Sequence, residues 1–221
     1  MARWSVDDAL EQLTGDDRVL SGLVARHGPM PKRRAVSAGA RFEVLARAIA
    51  HQQLSGRAAG TIWSRVLEAV GQPFTADRVL SHPSDGLRRC GLSSGKVAAI
   101  VDLARHEADG QLGLATIGRL DDDEIVRRLV RVRGVGPWTA QMFLMGALDR
   151  PDVWPVTDLG VRVGFGRAWL GGVTPPPDEL MTLGERFRPW RSVVAWYCWR
   201  ATEEPAGPPL DQRSTATPSG K

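Results

Sequence analysis

Two stretches of this chain carry residue types that can do chemistry. The first is Arg131-Val132-Arg133-Gly134-Val135-Gly136-Pro137-Trp138-Thr139-Ala140. It follows residues 121–131, an amphipathic run in which Ile125, Leu129 and Val130 are spaced to face inward. It opens a second apolar run through Met142, Phe143 and Met145. Pro137 suits the first turn of a helix, where its missing N–H costs nothing. Gly134 and Gly136 permit positive φ and close approach of the backbone. A helix begun in this way presents unpaired N–H groups and the positive end of its dipole, a geometry that holds a phosphate without side-chain charge. Arg131 and Arg133 stand alongside. Gly-x-Gly alone is equally the sign of an ordinary tight turn between packed helices.

The second stretch is Asp152-Val153-Trp154-Pro155-Val156-Thr157-Asp158-Leu159-Gly160. Thr157 or Asp158 is placed to cap a helix whose apolar face includes Leu159, Val163 and Phe165. A carboxylate at that point lies against the positive end of the dipole. A fixed anion of this kind can steady positive charge on a reacting centre; it can also do no more than cap.

The longer strings are more specific. The hairpin string resembles that of the helix-hairpin-helix DNA glycosylases, and most of all the 3-methyladenine DNA glycosylase II family. Four further blocks follow in the family's order. Ala48-Ile49-Ala50-His51-Gln52-Gln53-Leu54-Ser55 resembles its Gln-containing helix end. Cys90-Gly91-Leu92-Ser93-Ser94-Gly95-Lys96 resembles its Gly-Leu-Ser loop before a long helix. Residues 152–160 resemble its Asp-x-x-Pro-x-x-Asp-Leu-Gly segment, and Arg188-Pro189-Trp190-Arg191-Ser192 its lead-in to the last helix. Together the blocks cover roughly residues 36–202.

The resemblance implies that Asp158 is the catalytic aspartate of an enzyme that hydrolyses an N-glycosidic bond. Positive charge builds on C1′ and the ring oxygen as the base leaves, as in other glycoside cleavages. Relatives that also cut the strand place a nucleophilic lysine directly before the Thr-Ala of the second hairpin helix. Trp138 stands there in this chain, which implies a monofunctional enzyme that uses water and leaves an abasic site. The expected substrates are alkylated purines of the 3-methyladenine and 7-methylguanine type, in base excision repair. A glycosylase for mismatched or oxidised bases, or a non-catalytic DNA-gripping module, are the alternatives.

An enzyme that acts on a base takes it out of the stack. Trp138 and Trp199 match pocket-lining tryptophans of the family, with Trp196 and Trp154 as further candidates. Met142 stands where relatives carry a pocket Tyr. Gln52 or Gln53 would fill the gap left by the flipped base, and Leu92, with Ser93 beside it, would wedge the opposite strand. His51 reads as a polar helix end rather than a catalyst. DNA contacts are expected from Arg131, Arg133, Gly134, Val135, Gly136 and Thr139. The family's hairpin holds a monovalent cation, Na⁺ or K⁺, through backbone carbonyls that match Val130, Val132 and Val135. No other cofactor is implied.

The elements that must position these residues are helical. Phe42, Leu45, Ala46, Ile49 and Ala50 follow the i, i+3, i+4, i+7, i+8 pattern, and Ile62, Val66, Leu67 and Val70 repeat it. No stretch alternates long enough to specify a strand. About ten helices follow, with Thr75, Ser84 and Ser94 as N-caps and four acids, Asp121 to Glu124, in one first turn. The fold class is therefore all-α, and the family's version is two-lobed with a cleft between the lobes. One lobe spans 36–149 and carries the hairpin at about 121–148. The second combines 1–35 with 150–202, the breaks falling at Pro29 to Arg34 and Arg150-Pro151-Asp152. Only about 35 residues precede the matched region, so the mixed α/β domain found there in some relatives is not expected. Residues 203–221 are rich in Pro, Ser, Thr and Gly and read as a disordered tail.

Composition narrows the classes. The 221 residues are 43% hydrophobic and 24% charged, which excludes disorder throughout. No apolar run reaches the roughly 18 residues of a membrane span, and no leader is visible, so a cytoplasmic monomer without membrane contact, nucleoid-associated if the source is bacterial, is expected. Two cysteines, Cys90 and Cys198, are too few for an iron–sulfur cluster or a zinc site of four thiolates. They read as buried thiols in a reducing compartment. A net charge of +4 permits a polyanionic partner such as double-stranded DNA.

Overall fold

The computed structural model describes residues 4–54 and 56–203. The proposed tail therefore lies outside the described residues, apart from Glu203. Apolar spacing of three and four builds twelve α-helices and no strand among the described residues. The chain divides into two compact units, residues 34–149 and residues 1–33 with 150–221.

The continuous unit runs from α3 to α9. Helices α3 (Arg41–His51), α4 (Gly56–Val70), α7 (Ser94–Ala108) and α9 (Pro137–Ala147) pack around Leu45, Ile49, Val66, Ile100, Leu103 and Ala140, all at most 1% exposed. Burial of each Leu or Ile side chain contributes roughly 1.5–3 kcal/mol. Short helices α5 (Ala76–Ser81) and α6 (Ser84–Arg89) precede α7, and α8 (Asp122–Leu129) precedes the hairpin. Thr75 caps α5 as expected, accepting from Arg78 N at 3.4 Å. Ser84 instead lies inside α6 behind Pro83, and Ser93, one residue earlier than expected, caps α7. Asp121 caps α8, and Glu124 holds Arg127 and Arg128 along its surface.

The second unit is built from two segments. Helices α1 (Val6–Asp16) and α2 (Arg18–His27) pack with α10 (Leu159–Trp169), α11 (Pro177–Gly184) and α12 (Arg191–Thr202). Polar ties join the segments: Trp169 Nε1 donates to the Asp17 carboxylate at 3.0 Å, and the Tyr197 hydroxyl to Gly28 O at 3.0 Å. Buried Arg191 grips Asp152 with Nε and Nη2, a two-pronged bond that fixes the loop leading to Asp158. The tightest pairing is α10 with α12. A Cβ on Gly164 would overlap the carbonyl oxygen of Cys198, so the two backbones meet where only glycine fits.

Candidate active site

In the second unit, Asp158 rather than Thr157 is the N-cap of α10. Its Oδ1 accepts from Val161 N at 2.8 Å and from Trp199 Nε1 at 2.9 Å. One donor comes from the helix the residue caps and the other from α12. The carboxylate is thus oriented from two directions, as a preorganised anion requires. Gly160 makes the second bond accessible, because a Cβ there would stand 2.9 Å from Trp199 Cδ1. Cys198, next to Trp199, is fully buried. Burial above all, with the charge of Asp158, pushes its thiol well above the ordinary range, so it stays protonated and is no nucleophile.

The expected neighbours of Asp158 divide. Trp199 is half-buried and bonded to it. Trp196 is half-buried, edge-on to Tyr197 at 4.7 Å, with the Arg200 guanidinium 5.6 Å from its ring centre. Trp154 departs from expectation as a pocket wall. It is 4% exposed, donates Nε1 to Leu180 O at 2.8 Å, packs close to Gly184 and meets Phe165 edge-on. Leu159, expected on the apolar face, is 65% exposed. It occupies the first turn of α10, where the helix has not yet rotated onto the core.

In the continuous unit, the hairpin joins α8 to α9. Gly134 has φ of +75°, and a Cβ there would press on Ala99 at 3.3 Å. Gly136 differs: φ is −91° and a Cβ would meet nothing within 4 Å. Nothing inside the protein demands glycine at 136. Pro137 takes the first helical position as expected. The turn uses the N–H of Val132 on Leu129 O, of Val135 on Val132 O, and of Arg133 on the Asp102 carboxylate at 2.8 Å. Arg131 and Arg133 are exposed, Thr139 is buried. Val130, expected inward, is 38% exposed, while Val132 and Val135 are buried. The helix ends at Leu129, so Val130 leaves the helical phase that placed it inside.

A pocket of about 460 Å³ opens beside the hairpin. Trp138, Thr139 and Met142 of α9 line one side; His51, Gln52 and Gln53 at the end of α3 line the other. Trp138 is 44% exposed. The two glutamines have different work. Gln52 Nε2 donates to Gly134 O at 3.0 Å and to Thr139 Oγ1 at 3.3 Å, tying α3 to the hairpin. Gln53 is exposed with φ of +57°, a left-handed conformation that costs a non-glycine residue about 1–2 kcal/mol.

Two residues shaping this pocket were not read from the sequence as part of it. Lys96 in the first turn of α7 donates Nζ to Ala50 O at 2.8 Å and Gln52 O at 2.7 Å, capping the end of α3. A lysine at the positive end of a dipole is misplaced for its own helix, a signal that its partner lies elsewhere. His51 lines the pocket, and its Nε2 is buried without a hydrogen-bond partner among the described residues. Burial first, then Arg47 and Lys96, hold this imidazole below its ordinary value. Leu92, expected as the wedge, is 4% exposed, while Ser93 beside it is exposed and spends Oγ on the α7 cap.

Among the described residues no cluster of three side chains suits a metal ion, and no helix is long and apolar enough to cross a membrane. Backbone carbonyls are a separate donor class. Val132 O accepts one bond from Val135 N and keeps a second lone pair.

A Gly-Val-Gly-Pro hairpin opening one helix and an N-capping carboxylate behind Asp-x-x-Pro opening another are the two features that carry the family resemblance. The chain belongs to the HhH-GPD superfamily of base excision DNA repair proteins, which it matches over residues 46–189. It is 30% identical over 204 residues to DNA-3-methyladenine glycosylase 1 of Schizosaccharomyces pombe, covering 90% of this chain and 89% of that protein. The solved structure of a 3-methyladenine DNA glycosylase from the same yeast, in complex with abasic DNA, superposes with a TM-score of 0.78 at 27% identity, covering 90% of this chain and 98% of that one. A DNA-3-methyladenine glycosidase structure from Bacillus halodurans gives 0.78 at 27%, covering 91% and 92%.

Proposed function

We propose that the protein is a monofunctional DNA glycosylase that flips an alkylated purine out of duplex DNA and hydrolyses its N-glycosidic bond. The observation that carries this is the Asp158 carboxylate, held by Val161 N and Trp199 Nε1 in a chain of this family. An N3- or N7-alkylated purine is cationic and departs as a neutral base, taking the electron pair of the C–N bond. The carboxylate steadies the electron-poor sugar that remains. The oxygen of a water molecule bonds to C1′, and its proton passes to the carboxylate or to solvent. Trp138 in place of an amine nucleophile supports hydrolysis without strand cutting.

The grip follows from the hairpin. With the N–H groups of Val132, Arg133 and Val135 used inside the turn, those of Gly134, Gly136 and the first turn of α9 serve a phosphate. Arg131 and Arg133 add charge. The hard carbonyl oxygens of Val130, Val132 and Val135 fit a monovalent cation, which when bound supplies positive charge beside that phosphate. Gln53, exposed at the tip of α3, fills the space the base leaves, because Gln52 is occupied. Trp138 offers an aromatic face to a cationic base. The protein acts as a monomer in the cytoplasm, at the nucleoid if its source is bacterial.

Asp158→Asn tests the reading. Base release from 3-methyladenine or 7-methylguanine duplexes is expected to fall on the order of 10²–10³-fold with abasic-duplex binding kept. Undiminished release would remove the carboxylate from the mechanism. Borohydride is expected to trap no protein–DNA adduct with the wild type.

A further inference from the structure

The pocket beside the hairpin holds one polar group that the mechanism above leaves idle. Gln52 Nε2 is spent on Gly134 and Thr139, and Thr139 Oγ1 accepts that same donor. Gln53, exposed at the rim, is already assigned to the gap in the base stack. Trp138 and Met142 offer ring face and thioether. His51 is different: it lines the pocket, and its Nε2 is buried with no partner among the described residues. A buried ring nitrogen left unpaired is costly, and in native structures such a group calls for a ligand, a water or a function.

Resting on the reading of this pocket as the one that receives the flipped base, we propose that His51 determines specificity by reading the exocyclic group of the purine's six-membered ring. A neutral imidazole carries one N–H and one lone pair, and its partner decides which nitrogen holds which. The ring accepts from the amine of an N3-alkyladenine and donates to the carbonyl of an N7-alkylguanine. One side chain therefore serves both lesion types. Neutrality is essential, because an imidazolium would repel a base that is itself cationic. Burial, with Arg47 one turn back on α3 and Lys96 on α7, keeps the ring neutral.

The test compares wild type, His51→Asn and His51→Leu. Asn keeps a donor and an acceptor at similar size; Leu keeps neither. Single-turnover kcat/KM is measured on duplexes with 3-methyladenine or 7-methylguanine, alongside affinity for a duplex with an abasic site, where no base fills the pocket. His51→Leu is expected to lose about tenfold on both lesions, the loss of one hydrogen bond of ordinary strength. His51→Asn is expected to restore most of it, and all three proteins to bind abasic duplex equally. Equal kcat/KM for wild type and His51→Leu would overturn the assignment. So would parallel loss of abasic-duplex binding, which marks a purely structural role. A wild type that releases neither base overturns the reading of the pocket itself, before any variant is compared.

Discussion

Neighbouring glutamines at the end of α3 show how little residue type decides without backbone direction. Gln52 points into the protein and bridges Gly134 to Thr139; Gln53 sits in a left-handed turn and points out. Their variants should separate. Gln52→Ala removes a part-buried tie and is expected to lower stability by about 1 kcal/mol, a shift of about 2–4 °C in the thermal midpoint. Gln53→Ala is expected to keep the midpoint and lose about tenfold in excision from a paired duplex, yet to release the base normally when the lesion lies opposite an abasic site and flipping is easier. Equal behaviour of the two variants would count against the division of labour. His51 adds a pH signature. Its value is 6.5 unfolded and lower folded, so the unfolded chain binds the proton more readily. The stability that neutral His51 contributes is complete above pH 6.5 and lost as pH falls through the folded value. Midpoints of wild type and His51→Asn should thus run parallel above about pH 7 and converge or cross on acidification. A constant difference down to pH 5 would show that the ring does not titrate as described.

At the scale of elements, helical phase was legible and its exits were not. The periodicity of α3 and α8 placed Leu45, Ile49, Ile125 and Leu129 in the core, where they lie. Asp158 as a helix cap was legible for the same local reason: its N–H partner is three residues on. Errors fell where chain direction changes or a tertiary partner decides. Val130 and Leu159 sit at helix ends, Leu92 in a loop, and Trp154 met a carbonyl on α11 that no local pattern announces. The Trp199 bond to Asp158 spans 41 residues and depends on glycine-tight packing of α10 on α12. The hairpin glycines offer a direct test, because they answer to different constraints. Gly134→Ala forces a side chain into positive φ and onto Ala99, and is expected to destabilise by about 1–2 kcal/mol. Gly136→Ala meets open space and should leave stability alone. It should weaken abasic-duplex binding about tenfold, the loss of one bond of about 1.5 kcal/mol to a charged oxygen. Tight binding by Gly136→Ala would mean that the backbone there does not approach a phosphate.

For the whole molecule, charge and topology pull in the same direction. One unit is a continuous insertion between the two segments of the other, and the second is knit by bonds such as Trp169–Asp17 and Trp190–Gln12. Arg186 on Asp17 adds an ion pair across the two segments, while Arg191 and Arg188 on Asp152 and Glu185, and Arg127 and Arg128 on Glu124, pair within their own stretch of chain. Those guanidinium groups are already matched by carboxylates, which accords with a net charge of only +4 across 29 Lys and Arg. A hairpin that grips through neutral amides adds few released counterions. Binding to a lesion duplex should accordingly depend on salt only mildly. If about four phosphates are neutralised, log Kd against log salt has a slope magnitude of about 3.6. Arg131→Ala and Arg133→Ala should each reduce it by about one, with little change in which lesion is preferred. Titrations of the three proteins between 50 and 200 mM salt, on the order of the range over which strongly electrostatic binders lose most of their affinity, measure this directly. A slope near 10, unchanged by either substitution, would place the grip on a broad basic surface and away from the hairpin.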